Sequence, residues 1–198
     1  GGKLMKSIST TMNRGDFNVI ASWIKPGERV LDLGCGDGTL LRRLIDERGA
    51  RGYGIELENA AMLSALENGI NVIQTDLEQG LAGFGDGTFD HVVLSRTLQT
   101  VLHTENVLNE MLRVGREAVV SFPNFAYWKN RLAVMKGRMP VSEDLPYEWF
   151  NTPNLRFFTL LDFESVCQHL GIAIRERQVL DEVGALVHEE ANFLGSLA

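Results

Sequence analysis

The stretch Val30-Leu-Asp-Leu-Gly-Cys-Gly-Asp-Gly-Thr39 decides how this chain is read. An apolar run of strand length, residues 29–33, is closed by glycines at 34, 36 and 38. Thr39 then opens a helical pattern through residue 48, with Leu40, Leu41, Leu44 and Ile45 on one face and Gly49 as its stop. Strand, glycine turn and helix in that order give one half of a βαβ unit. Glycine lets the backbone turn sharply and lets a ligand lie against bare main chain. The N-terminus of the following helix adds free N–H groups and partial positive charge. The stretch therefore predicts a nucleotide-like ligand.

Outward from this loop the same rhythm repeats. Strands are predicted over residues 53–56, 72–75, 89–94 and 118–122, and helices over 59–68 and 104–114, the latter with Val107, Leu108, Met111 and Leu112 as its buried stripe. Strands alternating with such helices predict a mostly parallel, twisted sheet covered by helices on both faces. The rhythm breaks over residues 123–158, which hold four of the five prolines and two of the three tryptophans. This segment is read as a small cap insertion in a single domain spanning 1–198. Thr159-Leu-Leu-Asp162 is a capping-box pattern for a helix through residue 170, stopped by Gly171. A strand is predicted over 172–179. Gly1-Gly2 reads as the scar of a tag, and the apolar run at 193–197 as the start of an element that continues in a longer native C-terminus.

Composition excludes several classes. With 198 residues, 44% hydrophobic and 23% charged, the chain is neither disordered nor a coiled coil. Its net charge of −7 argues against a general binder of nucleic acid or anionic membranes. The apolar runs are too short to span a membrane. Cys35 and Cys167 form no disulfide framework, which suits a reducing, cytoplasmic setting. His91, His103, His169 and His188 show no metal-ligand spacing, so no metal is expected.

The ligand class follows from the acids around the loop. A dinucleotide fingerprint would put its third glycine where Thr39 stands; the spacing here is GxGxG. Asp32, two residues before Gly34, would repel a pyrophosphate but hold an ammonium group. Glu56, at the end of the second strand, can accept both hydroxyls of a ribose. Asp76, after the third strand, is placed to accept from an adenine amino group. Each admits a plainer reading: a tight strand–helix link for the glycines, a solvated loop acid for Glu56, a helix N-cap for Asp76. Cys35 reads as a small packing residue of the loop rather than a nucleophile.

In combination, Asp32, Gly34, Cys35, Gly36, Glu56 and Asp76 resemble the motif series of class I S-adenosylmethionine-dependent methyltransferases, which implies a Rossmann-like α/β fold and S-adenosylmethionine or S-adenosylhomocysteine as cofactor. Leu57, Leu77 and Ser95 complete the implied cofactor contacts. Arg14-Gly-Asp-Phe17, Ser95-Arg-Thr-Leu-Gln99, Ser121-Phe-Pro-Asn-Phe125, Trp149-Phe-Asn-Thr-Pro-Asn154 and Arg156-Phe-Phe-Thr159 resemble the methionine biosynthesis protein MetW family over nearly the whole chain. The resemblance implies a methyltransferase-like protein linked to a homoserine O-acyltransferase of α/β-hydrolase fold, and a further strand beyond Ala198. Two functions stay open: an accessory, regulatory subunit that binds the cofactor, and a catalytic methyltransferase acting on a small molecule. Methyl transfer from a sulfonium needs orientation more than acid–base chemistry, so the lack of an evident base excludes neither. Arg96, Ser121, Asn124, Tyr127 and Trp128 are the candidates for the acceptor or partner side. The aromatics of 123–158 can wall an acceptor pocket, anchor a partner, or simply pack the cap onto the sheet.

Overall fold

The computed structural model describes residues 14–198; Gly1-Gly2 lie outside the described residues. Five parallel strands form the sheet: β1 (Arg29–Leu33), β2 (Arg51–Glu56), β3 (Val72–Gln74), β4 (Phe89–Ser95) and β5 (Gly115–Ser121), in the order β3-β2-β1-β4-β5. Two layers of helices cover it. On one face α1 (Gly15–Trp23), α2 (Thr39–Arg48) and α3 (Asn59–Glu67) bury Phe17, Ile20, Leu40, Leu41, Leu44 and Ala65 against Val30, Val93 and Val119. On the other, α5 (Thr104–Val114), preceded by the one-turn α4 (Leu77–Gly80), and α7 (Leu160–His169) cover Leu31, Leu33, Val92 and Leu94. The strands thus follow their period of two, with alternate residues feeding the two cores. Two further helices lie outside these layers, α6 (Trp128–Met135) and the one-turn α8 (Ala191–Leu194).

Local chemistry sets the helix ends. The solvent face of α2 carries the i,i+4 pairs Arg42–Asp46 and Arg43–Glu47, and Gly49 closes it in a left-handed cap that donates to Ile45 and Leu44. At α7 the predicted capping box is present: the Thr159 side chain accepts from the Asp162 backbone, and the Asp162 side chain accepts from the Thr159 backbone.

Two expectations fail. Leu112, expected in the buried stripe of α5, is 38% exposed; Val114 takes the buried place, one turn beyond Met111. No strand forms over 172–179. A strand needs a backbone partner, and a groove of about 660 Å³ separates β5 from residues 172–178. Backbone pairing comes later: residues 196–198 run antiparallel to 122–124, with Phe122 and Ala198 exchanging hydrogen bonds and Leu180 bridging to Leu197.

The period of two also positions the site. On the face of Val30 and Val93, the next alternate residues toward the C-terminal ends are Asp32 on β1 and Ser95 on β4. Ser95 is in register with Ser121 on β5. All three turn toward α1. The strand order reverses between β1 and β4, which is where open α/β sheets receive ligands.

Candidate functional site

At the mouth of β1, Gly34 and Gly36 adopt left-handed backbone with φ of 70° and 56°. A Cβ at Gly34 would stand 3.3 Å from the Thr97 side chain, whereas one at Gly36 would meet no protein atom within 4 Å. Gly36 thus presents bare main chain to open space, as a ligand cradle requires. The loop is clamped to β2: the N–H groups of Gly34 and Cys35 both donate to Ile55 O, at 2.8 and 3.0 Å.

Glu56 completes the clamp. Its Oε2 accepts from Gly36 N at 2.9 Å, and its Oε1 accepts from Leu57 N and Glu58 N at 2.8 and 2.9 Å. A carboxylate offers about four acceptor sites. Three are used here, so a two-hydroxyl contact requires one of these N–H groups to let go. Asp76 caps α4, its Oδ1 accepting from Glu78 N at 2.9 Å. The N-cap reading of this residue is therefore realised, and any purine contact falls to its other oxygen. Leu57 is 62% exposed beyond Glu56, and Leu77 is half-buried against the core. Cys35 packs on β2: a Cβ at Gly54 would collide with its sulfur. Burial and the charges of Asp32 and Glu56 push its thiol up to about 12, which keeps it protonated and inert.

Asp32 is fully buried in the middle sheet strand. Burial drives its carboxyl up to about 7; the nearby Arg14 opposes this, and the charges of Glu56 and Asp16 add to it. A cationic group brought beside it would restore the charged form.

Next to Asp32 lies a polar network that connects α1, β4, β5 and the 123–158 segment. Arg14 holds Asp16 through two hydrogen bonds, at 3.1 and 3.2 Å, and donates to Ser95 Oγ at 2.7 Å. The hydroxyls of Ser95 and Ser121 both donate to Asp16 Oδ2, at 2.9 and 3.1 Å. Burial alone would raise the Asp16 carboxyl. The hydrogen bond and charge of Arg14, the charge of Arg96 and the Ser95 hydroxyl outweigh it and hold the group below its ordinary range. Arg96 follows Ser95 with φ of 51°, an uncommon conformation for a side-chain-bearing residue. Its guanidinium approaches Asp16 at 3.5 Å and Asp144, from the 123–158 segment, at 3.1 Å.

The structure thus brings together Asp32, Ser95, Arg96 and Ser121, and adds Arg14, Asp16 and Asp144, which the sequence reading did not single out as site residues. Asp16 carried a signal: an acid in the first turn of a helix whose apolar positions 17, 20, 21 and 24 follow helical spacing. Asp144 carried none, since its partner lies 48 residues earlier in a turn. Asn124 lies elsewhere in function. It is fully buried, its Nδ2 donates to the carbonyls of Asn192 and Gly195, and its Oδ1 accepts from Ala126 N and Leu160 N. Every donor and acceptor of its side chain is spent on holding the segment to α7 and the C-terminal residues, so none remains for an acceptor molecule. Tyr127 is buried as well, while Trp128 is partly exposed. Among the described residues no group of His, Cys, Asp and Glu could hold a metal ion, and no helix is long and apolar enough to cross a membrane.

A sequence model described as methionine biosynthesis protein MetW matches residues 14–198. The chain belongs to the MetW family. The bifunctional methionine biosynthesis protein MetXA/MetW of Rhodopirellula baltica is 41% identical over 176 residues, covering 84% of this chain and 28% of that protein. A ubiquinone/menaquinone biosynthesis C-methyltransferase UbiE of Ectopseudomonas mendocina is 35% identical over 120 residues, covering 54% of this chain and 46% of that protein. This chain therefore spans less than half the length of either relative. Among solved structures, a SAM-dependent methyltransferase from Archaeoglobus fulgidus superposes with a TM-score of 0.66 at 15% identity, covering 92% of this chain and 88% of its own. A SAM-dependent methyltransferase from Thermotoga maritima, described as a possible histamine N-methyltransferase, superposes with a TM-score of 0.65 at 18% identity, covering 94% of this chain and 87% of its own. The MetW chain thus has the Rossmann-like α/β fold of class I methyltransferases.

Proposed function

We propose that this MetW chain binds S-adenosylmethionine or S-adenosylhomocysteine in the crevice between the glycine loop, Glu56 and Asp76, and acts in methionine biosynthesis as an accessory, regulatory partner of a homoserine O-acyltransferase. The residues fit such a cofactor. Gly36 faces open space, Glu56 keeps one acceptor site open beside it and gains a second when one of its N–H partners lets go, and the buried Asp32 becomes charged most easily next to a cation such as the ligand's α-ammonium group. When bound, S-adenosylmethionine supplies an activated methyl group; the chain's own groups orient it through the bare main chain at Gly36 and the acids.

The observation that carries the partnership is the Rhodopirellula baltica relative, whose name joins MetXA and MetW in one chain. The surface of residues 123–158 supports it. Trp149 and Phe150 are 72% and 69% exposed, and Tyr147 close by in sequence and Met135 at the end of α6 are exposed as well. Rigid aromatics of this kind are the usual anchors of protein interfaces. A cofactor that binds the free and associated states differently shifts their equilibrium, with coupling on the order of 1–3 kcal/mol.

The test is to purify the chain with a homoserine O-acyltransferase from the same organism and assay acyl transfer with and without S-adenosylmethionine. Co-elution and dependence of activity on this chain are expected. An acyltransferase that works equally well alone and elutes separately would overturn the accessory reading. Stoichiometric methylation of a small acid or amine by the isolated chain would instead establish the catalytic one, which the polar network beside the crevice favours.

A further inference from the structure

We propose that Arg96 is the carboxylate-binding residue of the site, selecting small monocarboxylate ligands, and that the Asp144 side chain holds the position their carboxylate takes. The inference rests on the cofactor-crevice reading and adds a ligand class to it.

The two acids of the network are held differently. Asp16 is fixed from several sides, by Arg14 through two hydrogen bonds and by the hydroxyls of Ser95 and Ser121. Asp144 meets the Arg96 guanidinium at 3.1 Å from a segment with little regular structure. Burial raises its carboxyl above the ordinary range, and the charges of Asp16 and Glu143 add to this, more than the Arg96 charge and the Ser196 hydroxyl lower it. Asp144 is therefore the anion most easily exchanged for another of the same shape.

Arg96 itself is rigidly set. Its N–H donates to the Ser121 carbonyl at 2.9 Å, its carbonyl accepts from Gln99 Nε2 at 2.7 Å, and its backbone is held left-handed. The side chain of the following residue, Thr97, stands where a Cβ on Gly34 of the glycine loop would come within 3.3 Å of it. The Arg96 backbone is thus fixed at the boundary between the cofactor loop and the 123–158 segment, where an acceptor would approach, and its guanidinium reaches from Asp16 to Asp144.

Charge arithmetic selects the ligand class. Arg14 and Arg96 are balanced by Asp16 and Asp144. A monocarboxylate replacing Asp144 keeps that balance, while a phosphate dianion would leave an uncompensated negative charge beside Asp16 in a largely buried site. Guanidinium and carboxylate also match in planar, two-point geometry.

The test uses propionate and inorganic phosphate as probes, with binding read by saturation-transfer NMR and titration. Wild type, Asp144→Asn, Arg96→Asn and Arg96→Lys are compared, Asn being a residue that tolerates left-handed backbone. Asp144→Asn is expected to bind propionate about tenfold more tightly than wild type, one competing charged partner having gone. Arg96→Asn is expected to lose the signal. Arg96→Lys, which keeps the buried charge should the Asn variant fail to fold, is expected to weaken binding severalfold. Equal propionate affinity in wild type and Asp144→Asn, binding that survives Arg96→Asn, or tighter binding of phosphate than of propionate would each overturn the proposal. An Asp144→Asn protein that melts earlier and gains no propionate affinity would show a structural tie and overturn it too. Calorimetry with S-adenosylhomocysteine on wild type separates the two readings. Heat with the nucleoside but no propionate response defeats this proposal alone. No heat with the nucleoside defeats the cofactor reading on which it rests.

Discussion

The two sides of the crevice are built in opposite ways. On the cofactor side, acids are satisfied by backbone N–H groups close in sequence: Glu56 reaches residues 1, 2 and 20 positions away, and Asp76 one 2 positions away. On the far side, the acid Asp16 is satisfied by side chains instead: Arg14 from two positions away, and the hydroxyls of Ser95 and Ser121 across 79 and 105 residues. Local backbone capture makes a motif that survives within one βαβ unit. Long-range side-chain capture makes a site only after the whole sheet has closed. Substitutions on the first side should therefore cost ligand affinity with little loss of fold, and substitutions on the second should cost stability.

Gly36→Val tests the first half most severely. The protein has room for the side chain, so the fold should survive with the strain of a left-handed β-branched residue, about 1–2 kcal/mol. Binding of S-adenosylhomocysteine should vanish in calorimetry, because the added atoms stand in the ligand's space. Unchanged affinity would show that the loop does not touch the ligand.

Asp16→Ala should show the opposite pattern. It leaves the Arg14 and Arg96 charges without their shared acid, a loss on the order of 3 kcal/mol for a buried network. Thermal denaturation should shift down by roughly 6–12 °C for a chain of this size. A shift within a degree would mean the network is not coupled to folding.

Glu56→Ala comes next. It removes a charge-assisted hydrogen-bond acceptor, so nucleoside affinity should fall by about 1.5–3 kcal/mol. Its stability loss should be smaller than that of Asp16→Ala, since the N–H groups it releases lie near solvent.

Asp32 distinguishes the sides by pH. Its folded carboxyl is raised from the ordinary 3.8 to about 7, so the native state holds a proton that the unfolded chain has lost in that interval. Its contribution to stability is complete below pH 3.8 and declines as pH rises through 7. Binding of a cationic amino-acid end has the reverse sign. It needs the charged form, so affinity for S-adenosylhomocysteine should rise from pH 5.5 to 7.5 and level off above. Asp32→Asn should flatten both profiles, and persistence of the full pH dependence in that variant would place its origin elsewhere. The smallest expected effect is Trp149→Ala: within about 0.5 kcal/mol in stability for so exposed a residue, yet a weakened association with the acyltransferase in co-elution.

The same contrast explains what the sequence disclosed. The strand–glycine–helix unit, the stripe of α5 up to Met111 and the Thr159–Asp162 capping box are local patterns, and each is present at its expected place. The strand predicted over 172–179 has strand composition, but pairing is decided by what lies alongside, and a groove lies there. Helix α1 was not read from the sequence, although positions 17, 20, 21 and 24 follow helical spacing; that the acid in its first turn is the centre of the network follows only from partners on β4 and β5. Asn124 stood out in sequence only as a candidate for the acceptor or partner side; that its side chain is wholly consumed in holding the 123–158 segment follows only from partners up to 71 residues away.

The most direct test of the central claim is calorimetric titration of S-adenosylhomocysteine into wild type, Gly36→Val and Glu56→Ala, with NAD as the control nucleotide. One site per chain for S-adenosylhomocysteine, weakened in Glu56→Ala and lost in Gly36→Val, with no heat from NAD, is the predicted result. Binding of NAD, or S-adenosylhomocysteine heats that are the same in all three proteins, would contradict it.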